Sequence, residues 1–205
     1  LIAGVWGASF LFIRILLGAG IEPYGIAFGR TALGALSLLP FAAITRRHLP
    51  SWRGWLRLLG LAAVNFAVPW ALIPYAQQYV TSGVAAVANS SMPLWTALFS
   101  SLLLGVEELG TKRLAGLVAG FLGVGVLAAP DLAELSSAWR GVPVILFATA
   151  LYGSSAVAIR RWYGDLSPFA LTFGQLVLSS FMLGPLAFAT GAYAGARWSG
   201  DAVLS

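Results

Sequence analysis

Trp6-Gly7-Ala8-Ser9, with Arg14 five residues on, recurs as Tyr152-Gly153-Ser154-Ser155 with Arg160 at the same offset of 146. After a one-residue deletion the register continues at an offset of 145: Pro23 aligns with Pro168, Phe28-Gly29-Arg30 with Phe173-Gly174-Gln175, and Pro40 with Pro185. Glycine-rich apolar segments resemble one another by chance. Two prolines and two glycine pairs held in one register point instead to an internal repeat.

What lies around the two copies sets the fold class. A helix needs about 20 mostly apolar residues to cross the hydrocarbon core. Seven segments meet or approach that length: 1–17, 24–44, 55–76, 83–104, 113–130, 141–159 and 168–189. Five of them precede the second copy. Because five is odd, the second copy must enter the membrane from the opposite side. The expected architecture is therefore all-α integral membrane with inverted five-helix repeats, the first over 1–130 and the start of a second over 141–205. On a ten-helix plan three helices of the second repeat fall outside these residues. The chain starts inside an apolar run, without a basic leader or a small-residue cleavage site, and reads as clipped at both ends.

Composition agrees. Of 205 residues 59% are hydrophobic and 9% charged, and the mean hydropathy is +0.86. A soluble domain carries about 25% charged residues, so lipid must be the solvent for much of this surface. Cysteine is absent, which excludes disulfides and thiolate chemistry. The net charge of +5 does not mark a nucleic-acid binder, because the basic residues lie between apolar segments, where orientation signals belong. Placing the first N-terminus in the cytoplasm puts Arg46, Arg47, Arg53, Arg57, Lys112, Arg113, Arg160 and Arg161 inside, against Arg14, Arg140 and Arg197 outside. Segment ends carry helix-start chemistry. Ser51, Ser82, Thr111 and Ser167 stand as N-caps, and Pro23 and Pro168 fall in first turns.

Three ordered stretches carry a family resemblance: Trp6-Gly7-Ala8-Ser9-Phe10 with Phe28-Gly29-Arg30; Gln77 through Ala86, leading to Asn89 and Pro93-Leu94-Trp95; and Glu107-Glu108, then Lys112 through Gly116, ending at Gly120 through Val126. Together they resemble the EamA-type branch of the drug/metabolite transporter superfamily over essentially the whole chain. The resemblance implies ten helices in two inverted repeats, cytoplasmic termini, a central cavity, and export or exchange of small metabolites, often amino acids or related compounds. Relatives often carry an acid near the position of Gln77, so proton coupling there is in doubt for this chain.

Polar groups in hydrocarbon need a reason, and a charge at a helix centre costs about 2.5–3.5 kcal/mol on insertion scales. Arg30 is the one charge well inside a span. Three roles are open to it: facing a cavity to attract a carboxylate, pairing with outer carbonyls or Glu22, or snorkelling outward. On the fourth span Ser82, Asn89, Pro93, Thr96 and Ser100 share a helical face, and Pro93 removes the hydrogen bond to the Asn89 carbonyl. Asn65 and Pro69 repeat the theme on the third. This polar stripe serves either a cavity or interhelical hydrogen bonding. Trp6 and Tyr152 hold equivalent places in the repeat and are expected as cavity aromatics. Trp52, Trp55, Trp70, Tyr75 and Tyr79 are expected in interfacial belts. Thr172, Gln175 and Ser179 read as packing, and Gly116 with Gly120 as a close helix approach or, less directly, a homodimer face.

The expected substrate cavity thus comprises Trp6, Arg30, Asn65, Pro69, Asn89, Pro93, Thr96 and Tyr152. No catalytic residue, metal ligand or cofactor is expected. The acids, Glu22, Glu107, Glu108, Asp131, Glu134, Asp165 and Asp201, all fall in loops or at helix ends, and His48 has no ligating companion. Inverted repeats around a midplane site are the mark of secondary transporters. The function expected is alternating-access export or exchange of small metabolites, with bending at Pro69 and Pro93. A membrane-embedded enzyme or a non-transporting scaffold is the alternative. The 11-to-1 preference for Arg over Lys fits a GC-rich bacterial source; the expected location is the bacterial inner membrane, with lipid and a small molecule as partners.

Overall fold

The computed structural model describes residues 2–44, 52–104, 110–134, 138–164 and 166–197. Arg46, Arg47, His48, Ser51, Glu107, Glu108, Asp165 and Asp201 lie outside them. Helices account for nearly all of the described chain, and no strand occurs among the described residues. They are α1 (Ile2–Gly18), α2 (Pro23–Ile44), α3 (Trp52–Ala62), a π-helical turn (Ala63–Ala67), α4 (Val68–Ala76), α5 (Ser82–Asn89), α6 (Met92–Leu104), α7 (Thr111–Glu134), α8 (Ala138–Trp162) and α9 (Pro168–Ala189).

Among the described residues four segments are long and apolar enough to cross a bilayer: Pro23–Ala42, Gly54–Ala76, Ala138–Trp162 and Pro168–Ala189. Two further apolar helices, Trp6–Gly18 and Leu114–Val126, are shorter. The expected span 83–104 is not one helix but two. Its chain breaks at Ser90 and Ser91, whose hydroxyls donate back to the Val87 and Ala88 carbonyls at 2.6 and 2.7 Å. Pro93 then sits in the first turn of α6 with no N–H to extend the ladder. The face proposed for Ser82 through Ser100 therefore does not exist as a continuous stripe.

Burial runs opposite to that of a soluble bundle. Leu33, Leu36, Val126, Phe181 and Phe188 are exposed, while Thr31, Gln77, Ser91, Thr149, Gln175 and Ser179 are buried. Caps differ in detail from expectation. Thr81, not Ser82, caps α5, accepting from the Val84 amide at 3.2 Å. Ser167 occupies the N-cap of α9, but its side chain makes no capping bond.

Packing fixes the helix directions. Along α2 and α9, Phe28 meets Phe188 at one end and Phe41 stacks on Phe169 at the other, each pair at 5.5 Å, so the two helices run antiparallel. Gly153 of α8 lies on the Trp95–Thr96 backbone of α6, and Thr149 meets Ser91 at 3.1 Å; α6 and α8 are thus parallel. Gly120 faces Leu94, whereas Gly116 has open space around it, so only one member of that glycine pair makes a close approach among the described residues. Beyond α9 the chain turns back over the α1–α2 corner. Glu22 N donates to Ala192 O, Arg197 N to Ala19 O, and the Tyr193 hydroxyl to Gly25 O, all at 2.8–3.0 Å. Gly20, at φ +83, abuts the Gly195 carbonyl too closely for any Cβ.

Candidate functional site

Two helix irregularities border one cavity in the bundle. The π-helical turn precedes Pro69 in the third span, and the Val68 amide there reaches back five residues to the Ala63 carbonyl. The α5–α6 break interrupts the fourth span. Between them a cavity of about 470 Å³ opens, within the range of small-molecule sites. It is bordered by Trp6, Ser9, Phe10 and Ile13 of α1, Arg30 of α2, Asn65 and Phe66 of the π turn, Trp70 and Ile73 of α4, Asn89, Met92 and Tyr152. Interrupted helices make such a space possible, since continuous apolar helices would close-pack.

Arg30 donates to the Ser9 hydroxyl at 3.0 Å, and its guanidinium carbon lies 4.3 Å from the centroid of the Trp70 ring. Tyr152, buried, is within electrostatic reach of it. Among the described residues no carboxylate pairs with Arg30, neither Glu22 nor another. A guanidinium has five N–H donors, so most of its hydrogen-bonding capacity is uncommitted. Stacking on an indole keeps the plane fixed while leaving its edge free.

Asn89 ends α5 at 8% exposure, and its Oδ1 atom has no hydrogen-bond partner. A buried acceptor without a donor is costly, about 1–3 kcal/mol, and this one borders the cavity. Asn65 is differently placed. Its Nδ2 donates to Gln175 Oε1 at 2.9 Å, and its Oδ1 accepts from the Ser155 hydroxyl at 2.7 Å. Both of its polar atoms are therefore committed to α8 and α9. Ser179 adds a bond to the Ala62 carbonyl at 3.0 Å, beside the π turn.

Of the residues singled out in the sequence, Trp6, Arg30, Asn65, Asn89 and Tyr152 border the cavity. Pro69 is buried behind it, Pro93 faces outward, and Thr96 bonds to the Met92 carbonyl of its own helix. Trp70 belongs to the cavity rather than to an interfacial belt. Ser9, Phe10, Ile13, Phe66, Ile73 and Met92 were not legible as site residues. The one available signal was the i, i+4 spacing of Phe66 and Trp70 beside Asn65. Tyr75 and Trp55 are exposed, and Tyr75 pairs with Tyr79 at 5.5 Å. Among the described residues no group of three His, Cys, Asp or Glu side chains gathers in a metal-binding arrangement.

Apolar helices with lipid-type exposure around a largely apolar, arginine-bearing cavity define a multi-pass membrane protein. Residues 1–129 match the model of the EamA-like transporter family, and the chain belongs to that family. It is similar to an uncharacterised transporter, YdfC, of Bacillus subtilis, with 30% identity over 148 residues, 72% of this chain and 47% of that protein. Protein PecM of Dickeya dadantii is 30% identical over 170 residues, 82% of this chain and 54% of PecM. An uncharacterised inner membrane transporter, YedA, of Escherichia coli is 31% identical over 126 residues, 58% of this chain and 39% of YedA. The chain spans about half the length of these curated relatives. No solved structure matches it.

Proposed function

We propose that the protein is a secondary transporter of the bacterial inner membrane that exports or exchanges small metabolites, amino acids or related compounds, by alternating access. One observation carries the reading. The cavity pairs a cation with no carboxylate partner among the described residues, Arg30, with an unpartnered buried acceptor, the Asn89 Oδ1 atom. A carboxylate would take the edge of the Arg30 guanidinium. An ammonium or other N–H donor would satisfy Asn89. Trp6 and Tyr152, equivalent in the repeat, would enclose the apolar part of the same molecule.

The inverted-repeat plan draws support from the antiparallel crossing of α2 and α9, which are equivalents at offset 145. An in-plane two-fold axis would relate such a pair in that way. Bending would fall at the π turn beside Pro69 and at the Ser90–Ser91 break beside Pro93, where backbone hydrogen bonding is already interrupted.

Counterflow in proteoliposomes tests this, with a pooled radiolabelled set of amino acids and related carboxylates. Flux of at least one compound is expected. Arg30→Gln should weaken its apparent affinity roughly tenfold or more, the worth of a charge-assisted hydrogen bond of about 1.5–3 kcal/mol. Asn89→Ala should reduce flux as well. Folded protein that moves none of these compounds, or moves them equally well with Gln at position 30, would sink the proposal.

A further inference from the structure

Where α3 begins and α8 ends, the structure builds a second site, remote from the cavity. The two helices run antiparallel there and are tied together. The Tyr163 hydroxyl donates to the Gly54 carbonyl at 2.7 Å, and the Arg57 guanidinium lies 5.7 Å from the Trp162 ring centroid. Tyr163 is buried against Leu58 and Leu171. Burial holds its phenol above the ordinary pKa, against the opposing Arg57 charge, so the hydroxyl keeps the proton it donates.

Around this fixed floor Arg57, Arg160, Arg161 and Trp162 are all exposed. Among the described residues none of the three arginines has a carboxylate partner, and Arg57 is engaged only by Trp162 and Tyr163. The dipole of α8 favours cations in its last turn, which accounts for Arg160 and Arg161. It gives no reason for Arg57, near the start of α3. Exposed like charges on one surface raise the local positive potential and attract an anion.

The surroundings say which kind. Trp162 is 48% exposed, and an exposed indole belongs at headgroup level. Leu56 and Leu59, one helical turn apart on α3 and flanking Arg57 in sequence, are exposed. A ligand with an anionic phosphate at one end and hydrocarbon at the other fits both features; a free anion uses only one. We propose that Arg57, Arg161 and Trp162 bind the phosphate of an anionic phospholipid, whose acyl chains lie against Leu56 and Leu59. Arg160 adds to the local potential. The site is independent of the transport reading and stands or falls separately from it.

Native mass spectrometry of the protein in neutral detergent tests this, with phosphatidylglycerol or phosphatidylcholine added at equal concentration. Phosphatidylglycerol should bind roughly tenfold or more tightly than phosphatidylcholine, as two attracting arginines imply. That preference should vanish in Arg57→Gln/Arg161→Gln and persist in Lys112→Gln/Arg140→Gln. Arg57→Lys/Arg161→Lys, which keeps the charge, should retain most of it, and the single variants Arg57→Gln and Arg161→Gln, each expected to lose part of the preference, answer the question if the double glutamine variant fails to fold by circular dichroism. Equal preference in wild type and a folded glutamine variant would overturn the site. Displacement of phosphatidylglycerol by an equal concentration of inorganic phosphate would also overturn it, marking a plain anion site.

Discussion

Gly153 shows what a single missing side chain accomplishes in this molecule. A Cβ there would lie 2.7 Å from the Trp95 Cβ and 2.8 Å from the Thr96 amide nitrogen. Neither atom belongs to a flexible side-chain end, so α8 and α6 would have to separate. Gly153→Ala should therefore destabilise the protein by about 1–3 kcal/mol, the usual cost of overpacking, read as a lower melting temperature in detergent. Gly60, with nothing within 4 Å, is the matched control, and Gly60→Ala should be neutral or slightly stabilising. The sequence marked Gly153 through its repeat partner Gly7, but nothing in the sequence distinguished the crowded copy from the open one. The same holds for asparagines. Asn65 and Asn89 look alike in sequence, each four residues before a proline; one is fully bonded and the other is left with a free acceptor.

At the scale of elements, Asn65 ties the third span to both α8 and α9. Asn65→Ala would leave the buried Gln175 Oε1 without its donor and remove the Ser155 bond that links three helices, although Ser155 keeps the Tyr152 carbonyl. The expected loss is about 1–3 kcal/mol, measured by thermal or denaturant unfolding in micelles, and Asn65→Asp should not rescue it because Gln175 Oε1 needs a donor. Pro93 acts through the α5–α6 break. Pro93→Ala returns an N–H to the first turn of α6 and should stiffen the fourth span, slowing counterflow while leaving the melting temperature unchanged or raised. Unchanged flux would show that the break is architecture and not a hinge. Element positions were largely legible. The expected 168–189 coincides with α9, and 24–44 misses α2 by one residue. Hydrophobic length is a local property, so the sequence states it directly. The break at Ser90–Ser91 was not legible, because serine hydroxyls bond back to the chain inside unbroken helices as well, as Ser37 and Ser180 do.

For the whole molecule the testable quantity is orientation. With no cysteine in the chain, single replacements report sidedness without background. Lys112 and Arg140 are both exposed, at the start of α7 and of α8. A membrane-impermeant maleimide should label Arg140→Cys in intact cells and Lys112→Cys only after permeabilisation. The opposite pattern would reverse the topology, and with it the direction in which the cavity loads. The strap over Ala19–Gly25 bears on motion at this scale. It joins the α1–α2 corner to the exit of α9, so these outer ends move as one body while it holds.

Composition and hydrophobic length were enough to determine the solvent and the helical class, and three ordered motif stretches carried the kinship with EamA-type transporters. All are properties of the chain counted along itself. Tertiary structure alone decided which polar groups meet. Asn65 finds Ser155 and Gln175 at separations of 90 and 110 residues, and Arg30 lies over Trp70 because a π turn shifts the register of everything that follows it. One extra residue in a turn rotates later side chains by about 100°, enough to carry an indole from a lipid face to a cavity. In hydrocarbon a polar side chain is satisfied equally by a neighbouring helix or by a bound molecule, and only the packed bundle distinguishes the two.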